Sequence, residues 1–322
     1  MNTTKPMDRF LYFPEIRIKM HIALISSTQD TASANIRERL LENYKFAKAG
    51  IKFDGNEVYG CLANGRDIKL YTINTPLITR DGLDKKIEAD VFLFISRHRA
   101  DGGRASLTVH PIGNFGKAGA GGKDGQLGIS SPEYLKKILK ELTKNIEGSE
   151  YEATLESTHH GPFMEKPALF VELGSNEKYW EDKEGAKIVA KSLMNAIGNA
   201  NNMNYNESQS INKIFNKNNN KFESKNNENY DYEAVFVVGG SHYSHVANKA
   251  LLNSDFSVSH ICPKHNFENL NTETLKQAME RSVPKAKLVL LDWKGLGKEK
   301  QRILDLLRNN NIKFERSDKF FE

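Results

Sequence analysis

The sequence predicts an α/β fold, with three layers in α/β/α order and a mostly parallel or mixed central sheet. Three observations carry this. Short apolar runs alternate along the chain with stretches whose apolar residues recur at helical spacing. Several of those runs are apolar on both faces, as strands covered by helices on two sides must be. One run, YEATLES at 151–157, alternates instead, which puts at least one strand at an edge or antiparallel.

The first strand is MHIALIS at 20–26, followed by Ser and Thr residues suited to capping a helix. From Asp30 the spacing of Ile36, Leu40, Leu41 and Tyr44 predicts an amphipathic helix. Further strands are predicted at 67–73, 90–96, 151–157, 168–173, 234–238, 256–261 and 286–292. Helical patterns lie at 131–146, opened by Ser-Pro, and at 181–198, 243–253, 271–282 and 297–309. Residues 20–322 therefore read as a single domain, with Met20 as a candidate start and residues 1–19 as an N-terminal extension. Residues 199–229 are Asn- and Lys-rich, with too few apolar side chains to offset the entropy of ordering them, and read as an insertion. Residues 97–128 hold nine glycines and read as a long functional connection. Their GAGGKDG segment lacks the GxxxxGK[ST] spacing of a triphosphate-binding loop.

No stretch approaches 18 consecutive apolar residues and no secretory leader is visible, so the expected place is the cytoplasm, with no membrane partner. Cys61 and Cys262 form no CxxC pair, which excludes a disulfide framework and a thiolate zinc site. Any metal must use nitrogen and oxygen ligands. Of the formal charge of +5, residues 1–19 carry +2 and residues 199–229 carry +1, leaving about +2 elsewhere. A polyanionic partner would need basic residues gathered locally. No self-complementary apolar stripe stands out, so the expected state is a monomer.

Six of the nine histidines fall at or just beyond the carboxyl end of a predicted strand: His98, His159, His160, His242, His245 and His260. Glu172 and Asp292 end two further strands. Open α/β sheets bind ligands at that edge. Imidazole titrates near working pH, so such a cluster suits proton transfer or, when neutral, zinc binding. A hydrolytic zinc site takes three protein ligands and leaves one position for water. The sequence has candidates to spare but no HExxH.

Seven ordered segments, ALISSTQD, SRHRADGGRASLTVHPIGNF, ESTHHGPF, VELGS with Trp180, VGGSHY, CPKH and DWKGL, together resemble the archaeal-type D-aminoacyl-tRNA deacylase family, also represented in plants. The resemblance spans residues 20–322. It implies a phosphorylase/hydrolase-like fold, release of free D-amino acid from tRNA, and zinc dependence. On that footing His98, His160, Glu172 and His242 are candidate zinc ligands. His159 is the favoured general base or acid, with Glu156 orienting it. Backbone amides near Gly240 are candidates for stabilising the oxyanion. Arg97, Arg99, Arg104 and Lys123 are candidates for clamping acceptor-end phosphates. Two alternatives remain open: a zinc peptidase or amidohydrolase of related fold, and a non-enzymatic tRNA-binding protein.

Overall fold

In the computed structural model, which describes residues 20–198 and 232–321, strand β1 (Met20–Ser27) runs through the middle of a large sheet. Its side chains alternate between two apolar clusters, Ile22 and Leu24 on one face, Ala23 and Ile25 on the other. Helix α1 (Thr31–Asn43) follows, started by the Asp30 carboxylate, which accepts from Ser33 N. Strands β2 (Ala47–Phe53), β3 (Asn56–Ala63) and β4 (Arg66–Ile73) form an antiparallel meander that returns β4 parallel to β1. Then come β5 (Val91–Arg99), β6 (Ser106–Pro111), α2 (Pro132–Asn145), β7 (Glu152–Leu155) and β8 (Ala168–Ser175). The order across this sheet is β2-β3-β4-β1-β5-β8-β6-β7, a mixed eight-stranded sheet in an α/β fold. YEATLES forms the edge strand β7, parallel to β6, while β6 is antiparallel to β8.

The short α3 (Glu177–Trp180) and α4 (Lys183–Ile197) complete the first part. After residue 231 the chain adds β9 (Glu233–Val238), α5 (His245–Asn253), β10 (Phe256–Cys262), α6 (Thr272–Glu280), β11 (Ala286–Leu291), α7 (Lys300–Asn309), β12 (Phe314–Arg316) and α8 (Ser317–Phe320). These strands build a second, all-parallel sheet in the order β10-β9-β11-β12. One apolar cluster is continuous from Leu24 and Leu93 in the first sheet through α2 to Val235 and Val258 in the second. The second sheet buries its other face, Phe236 and Val238, against α6 and α7. The far face of the large sheet is covered by short turns carrying Leu77, Leu83 and Ile87.

Strands β2, β3, β6 and β12 and the division into two sheets are what the sequence patterns did not reveal. β2 is largely exposed and lacks an apolar run, whereas β6 hides its alternating SLTVHP inside the glycine-rich connection. The 1–19 extension and the Asn-rich insertion at 199–229 lie outside the described residues.

Candidate active site

The site lies where chain ends from both sheets meet. In the large sheet Ser96 of β5 pairs with Glu172 of β8, and Thr108 of β6 pairs with the same Glu172 from the other side. His98 and His110, each two residues further along, thus flank Glu172. Position 174 opposes His98, and a Cβ there would come within 2.5 Å of the His98 carbonyl oxygen, so only glycine keeps the two strands at this spacing. The segment leaving β7, Glu156 to Gly161, crosses between the sheets. Ser157 N donates to His242 O (2.8 Å) and Thr158 N to Ile261 O (3.1 Å), while Gly113 N donates to His160 O (2.9 Å). From the second sheet, the Gly239–Gly240 turn after β9 delivers His242 and Tyr243.

Glu156 is the hub. It is 1% exposed and accepts from His242 Nε2 at 2.7 Å, and its other oxygen lies 3.1 Å from His98 Nδ1. His98 Nδ1 is also 3.3 Å from Glu172, whose second oxygen is 3.6 Å from His110 Nε2. Burial opposes a charge on His98, but the close approach of the Glu156 and Glu172 carboxylates and their charges outweigh it and raise its pKa to about 10. His110, fully buried, is raised in the same way by Glu172. Burial alone would raise both carboxyls, yet the imidazoles hold Glu156 well below the carboxylate range, His242 and His98 acting most, and lower Glu172 through His110 and His98. The Tyr243 hydroxyl, 2.8 Å from His98 Nε2, closes the network at the surface.

A second group is built from imidazoles alone. The rings of His110, His159 and His160 lie 4.0 to 4.8 Å apart, with His242 4.7 Å from His159. Each of the three donates Nδ1–H to a main-chain carbonyl: His110 to Pro111 (3.2 Å), His159 to Ser157 (2.8 Å) and His160 to Gly161 (2.6 Å). Their Nε2 atoms are left without a strong partner, in the pattern that fixes tautomers at metal and proton-transfer sites. Burial, followed by the charge of His110, depresses His159 far below its ordinary pKa and His160 to about 4. His160 adopts a left-handed φ of 41°, and the next residue must be glycine: a Cβ on Gly161 would lie 2.2 Å from Gly122 N and 2.4 Å from Ile78 O.

Three sets of side chains hold ligand atoms within 4.8 Å of one another among the described residues: His98, Glu156 and Glu172; Glu156, His159 and His242; and His110, His159 and His160. The expected ligands are therefore divided. His98 and Glu172 come together with Glu156 rather than with His160 and His242, which belong to the other two sets. His159 stands beside Glu156 as expected, at 3.8 Å. Sequence reasoning missed His110, which sits on β6 inside what read as a loop, and Tyr243. The alternation Leu107, Thr108, Val109, His110 was the available signal for the first.

Gly240 has surroundings at odds with an oxyanion role. A Cβ there would sit 3.2 Å from the Asp292 carboxylate, and that negative charge disfavours a second anion beside it. Asp292 caps Gly295 N (3.1 Å), next to the Gly240 turn. His245 opens α5 on the exposed surface, and His260 is buried between Thr158 Oγ1 and Arg281 O. The four cations of the glycine-rich connection are spread. Arg97 lies over Trp180 (5.3 Å), Arg99 lines a cleft with Asp101, Asn176 and Trp180, Arg104 is 3.9 Å from Glu152, and Lys123 lies over Phe163 (4.1 Å). Of these, Lys123 follows Gly122, which packs against Gly161 after the histidine pair.

The family model described as D-aminoacyl-tRNA deacylase matches residues 85–315. The D-aminoacyl-tRNA deacylase of Pyrococcus furiosus is 32% identical over 293 residues, covering 89% of this chain and 96% of that protein. The namesake from Thermococcus kodakarensis is 31% identical, covering 84% and 90%. A crystal structure of a conserved protein of unknown function superposes with a TM-score of 0.75 at 29% identity, covering 95% of this chain and 98% of that one. No helix among the described residues is long and apolar enough to cross a membrane. With a family model matched over most of its length and relatives aligned nearly end to end, this chain belongs to the D-aminoacyl-tRNA deacylase family.

Proposed function

We propose that the chain carries out its family's reaction, hydrolysis of the ester between a D-amino acid and the terminal ribose of tRNA, with His159 as the general base. One observation carries the assignment. His159 commits Nδ1–H to the Ser157 carbonyl, which leaves the Nε2 lone pair 3.8 Å from Glu156 with 28% of the side chain open to solvent. Burial and the neighbouring imidazoles keep it neutral, so the lone pair is present at working pH. Nε2 takes a proton as water attacks the ester carbonyl, and the Glu156 carboxylate stabilises the imidazolium that forms. The bond from the carbonyl carbon to the ribose oxygen then breaks, and His159 returns the proton to that oxygen. No covalent intermediate is required. Free D-amino acid and tRNA leave; the proposal extends to a role in translation quality control in the cytoplasm and to action as a monomer.

The side chains also suit zinc, the cofactor expected from the sequence. Glu156 Oε1 is buried without a hydrogen-bond partner beside His98 Nδ1 and Glu172, a nitrogen and oxygen donor set of the kind zinc takes. Around it stand the outer partners that orient such ligands: Tyr243 on His98, His242 on Glu156 and His110 by Glu172. His98 in its neutral form, Glu156 and Glu172 would hold the ion, and bound there it would supply a Lewis acid for the ester carbonyl. Lys123 and the arginines Arg97, Arg99 and Arg104 remain candidates for phosphate contacts around this mouth.

The test is release of amino acid from D-Tyr-tRNA and L-Tyr-tRNA by purified protein, with and without chelator and zinc add-back. D-specific release lost with chelator and restored by zinc supports both parts. D-specific release indifferent to chelator keeps the activity and removes the zinc. No release from either substrate overturns the function and favours a peptidase.

A further inference from the structure

We propose that the cationic platform around Trp293, at the end of the second sheet, is the surface on which the single-stranded acceptor end of tRNA docks. The identity of the polyanion rests on the activity proposed above; the platform itself rests on its own geometry. Trp293 follows β11, and two cations lie against its ring, Arg316 at 4.0 Å and Lys300 at 4.3 Å from the centroid. Lys294 and Lys298 stand exposed on the adjoining turn with no acidic partner among the described residues.

Charge is concentrated here. Residues 292–302 and 313–319 contain seven Lys and Arg against four acids, an excess of three in a chain whose whole formal charge is +5. Three of the four acids are already engaged: Asp292 with Gly295 N, Glu299 with Arg302 and Asp318 with Arg316. What faces solvent is therefore mainly positive. Cations held against an aromatic ring also lose less freedom on meeting a phosphate than free side chains do.

The position matches the chemistry. A Cβ on Gly239 would lie 2.8 Å from Asp292 Cβ, and one on Gly295 would lie 2.9 Å from Gly240 N, so this turn packs on the turn that delivers His242 and Tyr243. The base of the platform thus lies against the turn that carries His242, on the side of the site where the esterified end must arrive. Proteins that hold single strands follow the backbone with a basic track, which these cations supply.

The experiment measures binding of fluorescently labelled deacylated tRNA to the full chain as a function of salt, for wild type, the double variant Lys294→Ala/Lys298→Ala, and a control pair on the exposed edge strand β2, Lys48→Ala/Lys52→Ala. Loss of two phosphate contacts on a single strand lowers the slope of log affinity against log salt by roughly 1.4. The expected result is that drop in the 294/298 variant, with affinity reduced roughly tenfold at low salt, and a wild-type slope in the control. An unchanged slope in the 294/298 variant, or an equal change in the control, overturns the platform. Since deacylated tRNA has no ester to cleave, this result is independent of turnover: an active enzyme with an unchanged slope loses the platform, and an inactive protein with the expected slope change loses only the deacylation.

Discussion

Replacing Glu156 by glutamine keeps its size and removes its charge, and the geometry gives the size of the effect. The carboxylate lies 3.8 Å from His159 Nε2 and is buried to 1% exposure. Unit charges at that separation interact by about 4 kcal/mol at an effective dielectric near 20. That stabilisation exists only once His159 carries a proton, so it lowers the barrier rather than tightening the ground state. A loss of this size corresponds to a kcat about a thousandfold lower. KM should change little, because Glu156 is enclosed by His98, His159 and His242 rather than presented to substrate. Single-turnover release of D-tyrosine from D-Tyr-tRNA reads the rate, and a thermal melt run alongside shows whether the variant is folded. A folded Glu156→Gln protein that keeps kcat within tenfold of wild type would refute the role given to His159 and Glu156.

Three other outcomes are expected. His260, fully buried, has its pKa lowered to about 4, chiefly by burial; its folded pKa lies below the unfolded value of 6.5, so it contributes stability above 6.5 that is lost as pH falls towards 4. This amounts to about 3 kcal/mol, and urea melts from pH 7 to pH 4 should show a steeper fall for wild type than for a His260→Gln variant. Tyr243→Phe removes the hydroxyl on His98, and because Tyr243 is 40% exposed, water replaces it and the Tm should hold within about 2 °C; kcat should fall about tenfold through looser positioning of His98, and the phenylalanine protein is refuting if its pH-rate profile overlays the wild type. Gly161→Ala forces a Cβ to 2.2 Å from Gly122 N, with both neighbours main chain, so stability should drop by at least about 2 kcal/mol in denaturant titration.

Much of this site was readable because its parts are local. His98, His159, His160 and His242 follow short apolar runs whose strand character is plain, and Glu172 closes another. What could not be read was which of them meet. Glu156 lies 58 residues from His98 and 86 from His242, and only the passage of the 156–161 segment between two sheets brings them together. His110 was hidden because its strand is flanked by glycines and inserts between β7, to which it is parallel, and β8, to which it is antiparallel, a pairing that no local pattern specifies. The second sheet escaped notice because its strands are as apolar as those of the first.

The placement of charge then decides what each histidine does. His98 and His110 contact buried carboxylates and are driven towards the imidazolium, whereas His159 and His160 feel burial and the charge of His110 and are driven towards the neutral form. Environments that push like groups apart in this way separate acids from bases within one site. Of the two neutral imidazoles, His159 has the carboxylate of Glu156 beside its free nitrogen, while the recorded ring neighbours of His160 are His110, His159 and Phe170. A proton taken by either imidazole would meet the charge of His110, and on His160 the carboxylates of Glu172 and Glu156 act through their charge alone, with no direct contact. One taken by His159 meets Glu156, which is why the base is assigned to the first histidine of the pair and not the second.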